Sequence, residues 1–164
     1  YELEQYINAV TYAEKVLTQS NIDNRIKSDA HVIIARSAMI TGDENRAKTA
    51  YAEVELTATG ETAAEALFYN GYFKNKAGNF ETSNAIIQRL AKDFSGYKYY
   101  SAKGLVVMAK NYYALNDAFQ ASYILESVIS NFAEFEDVAA EAQEELTKIK
   151  IEQAKTNSSI VPED

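Results

Sequence analysis

The sequence predicts an all-α protein, built as a superhelix of antiparallel helix hairpins and closed by a C-terminal capping helix. Three observations lead to this prediction. The 164 residues include one proline and six glycines, which leaves few of the turns that a β-rich chain needs. Apolar residues recur at the i, i+3, i+4, i+7 spacing of one helical face. A short pattern of turn, small and large apolar residues also recurs, with the period of helix-turn-helix repeats.

The recurring pattern is clearest in three stretches, TGDENRAKTAYAEV, AGNFETSNAIIQRL and LNDAFQASYILESV, which begin at Thr41, Ala77 and Leu115. Each has a turn residue, a small residue five places later, and large apolar residues four and seven places after the small one. The small residues that we align are Ala13, Ala47, Ser83 and Ala121. Their separations of 34, 36 and 38 residues indicate helix hairpins with occasional extra residues between units.

The elements follow from this register in chain order. Residues 2–19 form a first helix, which corresponds mostly to the second half of a repeat. About three full repeats follow at 27–131, with a break at the Gly42-Asp43 turn and at the later turns. Residues 135–155 form a charged final helix that caps the open end. We therefore predict one domain at 1–155 and a flexible tail at 156–164, where few apolar groups can hold the chain.

The small position has a physical reason. Two helices joined by a short turn cross closely, and a side chain larger than Ala or Ser at the crossing would hold them apart. The apolar residues four and seven places later then fill the space against the neighbouring unit. One hairpin cannot bury both of its faces, so we expect the units to stack into a superhelix.

Composition and charge exclude several classes of function. The formal charge of −8, with a pI near 4.8, repels phosphate backbones, so we expect no nucleic-acid partner. No apolar run of about 18 residues is present, which predicts no membrane span. Cysteine is absent, and this excludes disulfides and thiol catalysis. Because the chain begins with Tyr1 and has no basic-then-apolar leader, we interpret it as a processed product or a fragment.

The sequence contains no constellation typical of catalysis or of a metal or cofactor site. His31 is the single histidine, and without cysteine or a second histidine it cannot build a His-rich metal site. Ser101 and Lys103 are two residues apart on a predicted helix, so their side chains point apart and cannot act as a Ser-Lys pair. No glycine-rich phosphate loop or nucleophile elbow is present. We predict that the protein is not an enzyme and binds no metal or cofactor.

The repeated residues resemble the tetratricopeptide repeat family. Lys74 departs from the family's tyrosine, but the same unit matches the motif at Leu67, Gly71, Gly78, Phe80, Ser83 and Ile87. The likeness covers residues 27–131, and it implies a right-handed superhelix whose first helices line a concave groove. The stretch YYSAKGLVVMAKNYYALNDAFQASYILESVI also resembles the terminal repeats of large tetratricopeptide proteins of Bacteroidetes. That likeness implies a cell-envelope protein, in the periplasm or associated with the outer membrane.

The family register assigns the positions that would face the groove. They are Asp29, Val32, Arg36, Met39, Glu65, Phe68, Tyr72, Asn75, Lys76, Lys103, Val106, Lys110 and Tyr113. From these we predict a partner-binding set that consists of Arg36, Phe68, Tyr72, Asn75, Lys103, Lys110 and Tyr113. Aromatic rings supply contact area and cations pair with acidic groups, which suits an extended peptide or a helix of another protein. The resemblance therefore implies a non-catalytic protein-binding scaffold. The carboxylate clamp that binds chaperone tails is matched only at Lys103, so we do not expect that subtype.

Two other functions stay open. The incomplete first repeat leaves an apolar face around Tyr6, Val10 and Leu17, which self-association could cover in a larger cell-envelope repeat protein. A carbohydrate-binding or hydrolytic role is the weaker alternative, since fold does not fix function and Tyr72 and Tyr113 could stack on sugars. The aromatic stretch FSGYKYY, residues 94–100, is interpreted as filling a joint between hairpins in preference to forming an exposed patch.

Overall fold

The computed structural model describes the chain over residues 2–158, with side chains described over residues 4–156. This part of the chain forms eight α-helices and contains no β-strand. The helices are α1 (Glu2–Leu17), α2 (Asn24–Thr41), α3 (Glu44–Thr57), α4 (Gly60–Lys76), α5 (Phe80–Asp93), α6 (Lys98–Ala114), α7 (Ala118–Asn131) and α8 (Glu136–Ser158). The prediction of an all-α protein is confirmed.

The three hairpin turns share one backbone conformation. Gly42, Gly78 and Asn116 are left-handed, with φ of 80°, 75° and 65°. Glycine lacks the Cβ that penalises positive φ, and asparagine tolerates it better than most residues, which explains the repeated turn residue. In two of the turns the next residue, Asp43 or Asp117, caps the second helix. Its carboxylate accepts a hydrogen bond from the main-chain N–H three residues later, at 3.1 or 2.9 Å.

Consecutive helices pack against each other along the whole described chain. α2 packs on α3, α4 on α5 and α6 on α7, and each of these hairpins packs on the next element. First helices also meet directly, α4 with α6, and α6 packs on α8. α1 packs on α2, and α8 closes the other end against α6 and α7. The chain is an all-α helical repeat solenoid, as the sequence predicts.

The aligned small residues lie inside the hairpins. Ala47, Ser83 and Ala121 are each 0% exposed, and each is the fourth residue of its helix. The Ser83 hydroxyl also donates a hydrogen bond of 2.8 Å to the carbonyl oxygen of Gly71 on the facing helix. Because protein interiors are close-packed, a larger side chain at these positions would push the two helices of the hairpin apart.

The first unit departs from the predicted register. Ala13 is the twelfth residue of α1, whereas Ala47 is the fourth of α3. Ala13 is buried beside α2, the first helix that follows it, just as Tyr51 is buried beside α4. Ala13 therefore corresponds to Tyr51, and Ala9 is the residue that corresponds to Ala47, 38 residues before it. Alanines one helical turn apart made the two registers indistinguishable in the sequence.

The apolar face predicted at the first repeat is largely covered. Val10 is buried and Leu17 is half-buried, and both pack into the core with residues of α2 and α3. The prediction that these two residues form an open face is therefore wrong, because α2 folds back over this side of α1. The large apolar residues that α1 leaves exposed lie on other sides of the helix, at Ile7 and Tyr12.

The last helix is longer than predicted. α8 continues to Ser158, so residues 156–158 of the predicted flexible tail are helical. The rest of that tail, residues 159–164, lies outside the described residues. Within the described chain, no helix has both the length and the apolar character needed to cross a membrane.

Candidate functional site

Four helices of the solenoid, α2, α4, α6 and α8, contribute residues to one cleft. It encloses about 230 Å³ and lies mainly between α4 and α6. Its lining residues are Met39, Phe68, Tyr69, Tyr72, Asn75, Lys103, Val107, Lys110 and Glu141. We refer to this space as the central cleft. It brings together five of the seven residues predicted to bind a partner, namely Phe68, Tyr72, Asn75, Lys103 and Lys110.

Lys103 of α6 places a cation against aromatic rings in the cleft. Its Nζ lies 4.9 Å from the ring centroid of Phe68 and 5.3 Å from that of Tyr99. Within the described chain, no carboxylate forms an ion pair with this amine. Cation–π attraction holds the amine in place without neutralising it. The central cleft therefore presents a positive charge that no neighbouring acid balances.

Lys110, seven residues later on α6, does have carboxylate partners on α8. Its Nζ lies 2.6 Å from Oε1 of Glu141 and 3.7 Å from Oε1 of Glu145. The side chains of Lys110 and Glu141 both keep about a third or more of their surface in water, so the pair contributes roughly 0–1 kcal/mol. An acidic group of a partner could therefore replace Glu141 beside Lys110 at small cost.

Asn75 is fixed by a buried amide network at the wall of the cleft. Its Nδ2 donates a hydrogen bond of 2.7 Å to Oδ1 of Asn111. Asn111 is 0% exposed, and its own Nδ2 donates to the Ser83 hydroxyl and to Oδ1 of Asn84, both at 2.8 Å. A buried polar group left unpaired costs about 1–3 kcal/mol, so the network holds α4, α5 and α6 in one arrangement.

Aromatic rings of α4 form the apolar wall of the cleft. Phe68 is buried, whereas Tyr69 and Tyr72 are half-buried. The centroids of Phe68 and Tyr72 are 6.4 Å apart in a stacked arrangement, and Tyr69 is edge-on to Tyr72 at 6.3 Å. Such contacts favour a fixed placement of the rings. Because Phe68 is so deeply buried, we expect Tyr69 and Tyr72 to supply most of the aromatic contact area for a partner.

Arg36 is engaged within the molecule by Glu65 of α4. Its Nε and Nη2 donate to the two carboxylate oxygens at 2.9 and 2.5 Å, which is a bidentate pair. The hydroxyl of Tyr51 donates to Oε1 of Glu65 at 2.8 Å. Glu65 is 3% exposed, so the assignment of this residue to the groove surface is wrong, because it is the buried centre of the joint between α2, α3 and α4. Val32 and Val106, also assigned to the groove, are buried as well.

The ionisation of this joint follows from its geometry. Burial alone would raise the pKa of Glu65, but hydrogen bonds from Arg36 and Tyr51 outweigh it, so the pKa lies below the ordinary value for glutamate. Burial, together with the Glu65 carboxylate, raises the pKa of Tyr51 and of Tyr100. At neutral pH the carboxylate is therefore ionised and both phenols are protonated, which is the combination that the hydrogen bonds require.

Tyr113, the seventh predicted residue, lies outside the lining of the central cleft. Its hydroxyl donates a hydrogen bond to Glu152 of α8, and this bond raises the pKa of Tyr113. The structure thus divides the predicted set. Five residues share the cleft, whereas Arg36 and Tyr113 are each bonded to a carboxylate of another helix.

The same two positions meet at each joint between successive hairpins. By the 36- and 38-residue steps of the repeat, one position is held by Arg36, Tyr72 and Lys110, and the other by Glu65, Lys103 and Glu141. The first and last joints therefore have a cation opposite a carboxylate. The middle joint has Tyr72 opposite Lys103. The position that supplies an acid at the other joints supplies the cation itself here, and so Lys103 has no acid beside it.

Three lining residues were not in the predicted groove. Tyr69 and Val107 share one repeat position, 38 residues apart, and each follows a predicted groove residue directly. The register does not say how far around the helix the exposed face extends, which is why they were missed. Glu141 lies on α8, which the sequence marks only as a cap. The 38-residue step from Lys103 leads to it, so this signal was present in the sequence.

A larger space of about 380 Å³ lies elsewhere, between α1 and the α2–α3 turn. Its charged side chains include Arg46 and Glu14, which form an ion pair with each other. Among the residues that the structure describes, no group of three or more His, Asp or Glu side chains is placed to hold a metal ion. The central cleft therefore differs from the larger space in having a cation without an ion-pair partner.

Comparison of the chain with protein-family models and with curated proteins gave no match. Function is therefore inferred from the geometry of the central cleft.

Proposed function

We propose that this chain is a non-catalytic scaffold of the tetratricopeptide type, which binds an acidic segment of another protein in the central cleft. The observation that carries the proposal is Lys103, a cation beside aromatic rings with no acid paired to it. The repeat register and the cleft shared by α2, α4, α6 and α8 support the tetratricopeptide assignment. The cell-envelope location implied by the resemblance stays a prediction.

The other joints support an acidic partner. Glu141 lies beside Lys110, and Glu65 lies beside Arg36, at the positions where the middle joint has Lys103 and Tyr72. A carboxylate from a bound protein would give Lys103 the charge-assisted hydrogen bond that the cations of the other joints already have. Such a bond contributes roughly 1.5–3 kcal/mol, which corresponds to about a tenfold to hundredfold gain in affinity.

The size of the cleft favours a peptide over a small molecule. Its volume of about 230 Å³ is below the range of roughly 300–1,000 Å³ that is typical of small-molecule sites. One or two side chains of an extended segment fit such a space, while the rest of the segment crosses the neighbouring helices. Tyr69 and Tyr72 then provide contact area beside the acidic side chain, as aromatic residues do in many interfaces.

The proposal is tested with peptides selected from a random phage-displayed library on the immobilised chain. We expect the selected sequences to be enriched in Asp and Glu. Their dissociation constants are measured by fluorescence anisotropy for the wild type, for Lys103→Met and for Lys48→Met. Lys103→Met keeps the length of the side chain and removes its charge, so we expect affinity to fall about tenfold or more.

Lys48→Met is the matched control, because Lys48 is an exposed lysine of α3 outside the central cleft and its loss changes the net charge by the same amount. We expect it to leave affinity nearly unchanged. Selected peptides without acidic residues, or equal binding by wild type and Lys103→Met, would contradict the proposal.

A further inference from the structure

A second surface, between α1 and α2, is apolar and open to solvent. We call it the terminal groove. It encloses about 290 Å³, and its walls are formed mainly by Ala9, Tyr12 and Val16 of α1 and by Ile26, Ala30 and Ile33 of α2. Tyr12, Ile26 and Ile33 are 68%, 48% and 44% exposed. Large apolar side chains gathered in this way on a surface mark an interaction site.

One repeat later the same groove has a helix packed over it. With Ala9 set against Ala47 and Ala30 against Ala66, the residues that correspond to the groove walls are Ala47, Ala50, Val54, Ala66 and Tyr69. Ala47, Val54 and Ala66 are fully buried, and Ala50 is also in the core. They form one apolar cluster with Ala35 and Ala38 of α2. The covering element is therefore the first helix of a hairpin.

The next joint repeats the arrangement with α4 as the covering helix. Leu90 of α5 and Val107 of α6 are buried in one cluster with α4, which contributes Ala64, Leu67 and Phe68. These three residues have the i, i+3, i+4 spacing of one helical face. A helix that fits such a groove thus offers one small residue, followed by large apolar residues three and four places later.

We propose that the terminal groove docks an amphipathic helix of a partner protein, whose apolar face has the small-large-large pattern of α4. The occupant is not a second copy of this chain. Among the described helices, α2, α4 and α6 have apolar faces of this kind, and all three are already packed within their own hairpins. The outer side of α8 is rich in Glu and Lys. This docking does not depend on the central cleft.

The test uses a fluorescein-labelled peptide with the sequence of α4, residues 60–76, held helical by a lactam bridge on its polar side. Binding is followed by fluorescence anisotropy. We expect saturable binding to the wild type and at least a tenfold loss of affinity for Ile33→Asp, which places a charge in the groove wall. Tyr12→Asp, on the opposite wall, is expected to act in the same direction. A peptide that carries Leu67→Lys should not bind.

Leu56→Asp is the matched control, because Leu56 is 77% exposed on α3 and lies outside the groove. It should bind the peptide as the wild type does. Circular dichroism verifies that the variants stay folded, and sedimentation velocity reports self-association. The proposal is overturned if the peptide fails to bind, if Ile33→Asp binds as well as Leu56→Asp, or if the chain forms dimers that the peptide disrupts.

Discussion

The joint between α2, α3 and α4 and the joint between α4, α5 and α6 are built from the same repeat positions but are closed in different ways. At the first joint, Tyr51 reaches across to Glu65, which also binds Arg36. At the second joint, the position of Tyr51 is taken by Ile87, 36 residues later. An isoleucine has no hydroxyl to satisfy, so this joint is closed by shape.

Two glycines make room for Ile87. A Cβ added to Gly71 would lie 2.5 Å from Cδ1 of Ile87, and one added to Gly104 would lie 3.0 Å from its Cγ2. The backbones of α4 and α6 pack directly on each other, whereas α2 and α4 meet mainly through side chains. The comparison teaches that one repeat register can be closed by a buried carboxylate or by the absence of side chains. The choice follows from a single residue of the second helix.

The largest effect is expected from breaking the first joint with Glu65→Ala. The substitution leaves the Tyr51 hydroxyl buried without its acceptor and removes both partners of the Arg36 guanidinium. Loss of one member of a buried pair costs about 3–5 kcal/mol, but Arg36 is 56% exposed and can be solvated by water, so we expect about 2–4 kcal/mol. Urea denaturation measures the free energy of unfolding.

Glu53→Ala is the control for this prediction. Glu53 is an exposed glutamate of α3, and its loss should change stability by no more than about 0.5 kcal/mol. If Glu65→Ala were no more destabilised than Glu53→Ala, the Glu65 cluster would not be what closes the first joint.

A smaller effect is expected from filling the second joint with Gly71→Ala. Alanine favours a helix over glycine by about 1 kcal/mol, but its Cβ collides with the fully buried Ile87. Overpacking of this kind costs about 1–3 kcal/mol, so we expect a net destabilisation of about 1 kcal/mol. Because Ile87→Val removes the clashing Cδ1, the cost of Gly71→Ala should shrink in that background, and a double-mutant cycle measures this coupling.

Gly96→Ala serves as the control for the collision. An added Cβ at Gly96 meets nothing within 4 Å, and its φ is not in the left-handed region. We expect little change in stability there. Additive effects of Gly71→Ala and Ile87→Val would mean that close approach is not what closes the second joint.

The smallest effect is a difference in pH dependence between the two joints. The pKa of Glu65 is lower in the folded chain than its ordinary value of 4.5, so the stability it contributes is present above that value and is lost as pH falls below it. The joint at Ile87 has no carboxylate at its centre. Chemical denaturation between pH 7 and pH 3 should therefore show a steeper acid loss of stability for wild type than for Glu65→Gln. Parallel curves would rule out a contribution from Glu65.

Features set by local spacing were predictable from the sequence. The left-handed turns at Gly42, Gly78 and Asn116 and the buried small residues after them follow from residue type and distance alone. The register of the first unit was not, because Ala9 and Ala13 lie on one helix with no preceding turn to choose between them.

The candidate site was predictable in outline and not in its pairings. Helical periodicity was sufficient to place Tyr72, Lys103 and Lys110 on one surface. It could not show that Arg36 is bonded to Glu65, 29 residues away, because that contact depends on how two hairpins are set against each other. The same limit hid the free charge of Lys103, which depends on the acids that the neighbouring helices do or do not bring to it.

The amide of Asn111 has a consequence for how the molecule opens. It joins Asn75 of α4 with Ser83 and Asn84 of α5 from its place on α6, so none of these helices can move away without leaving buried polar groups unpaired. Hydrogen exchange in the middle of the solenoid should therefore occur by one cooperative opening that exposes all three helices together. A chain of similar repeats becomes, at this point, a single unit of local unfolding.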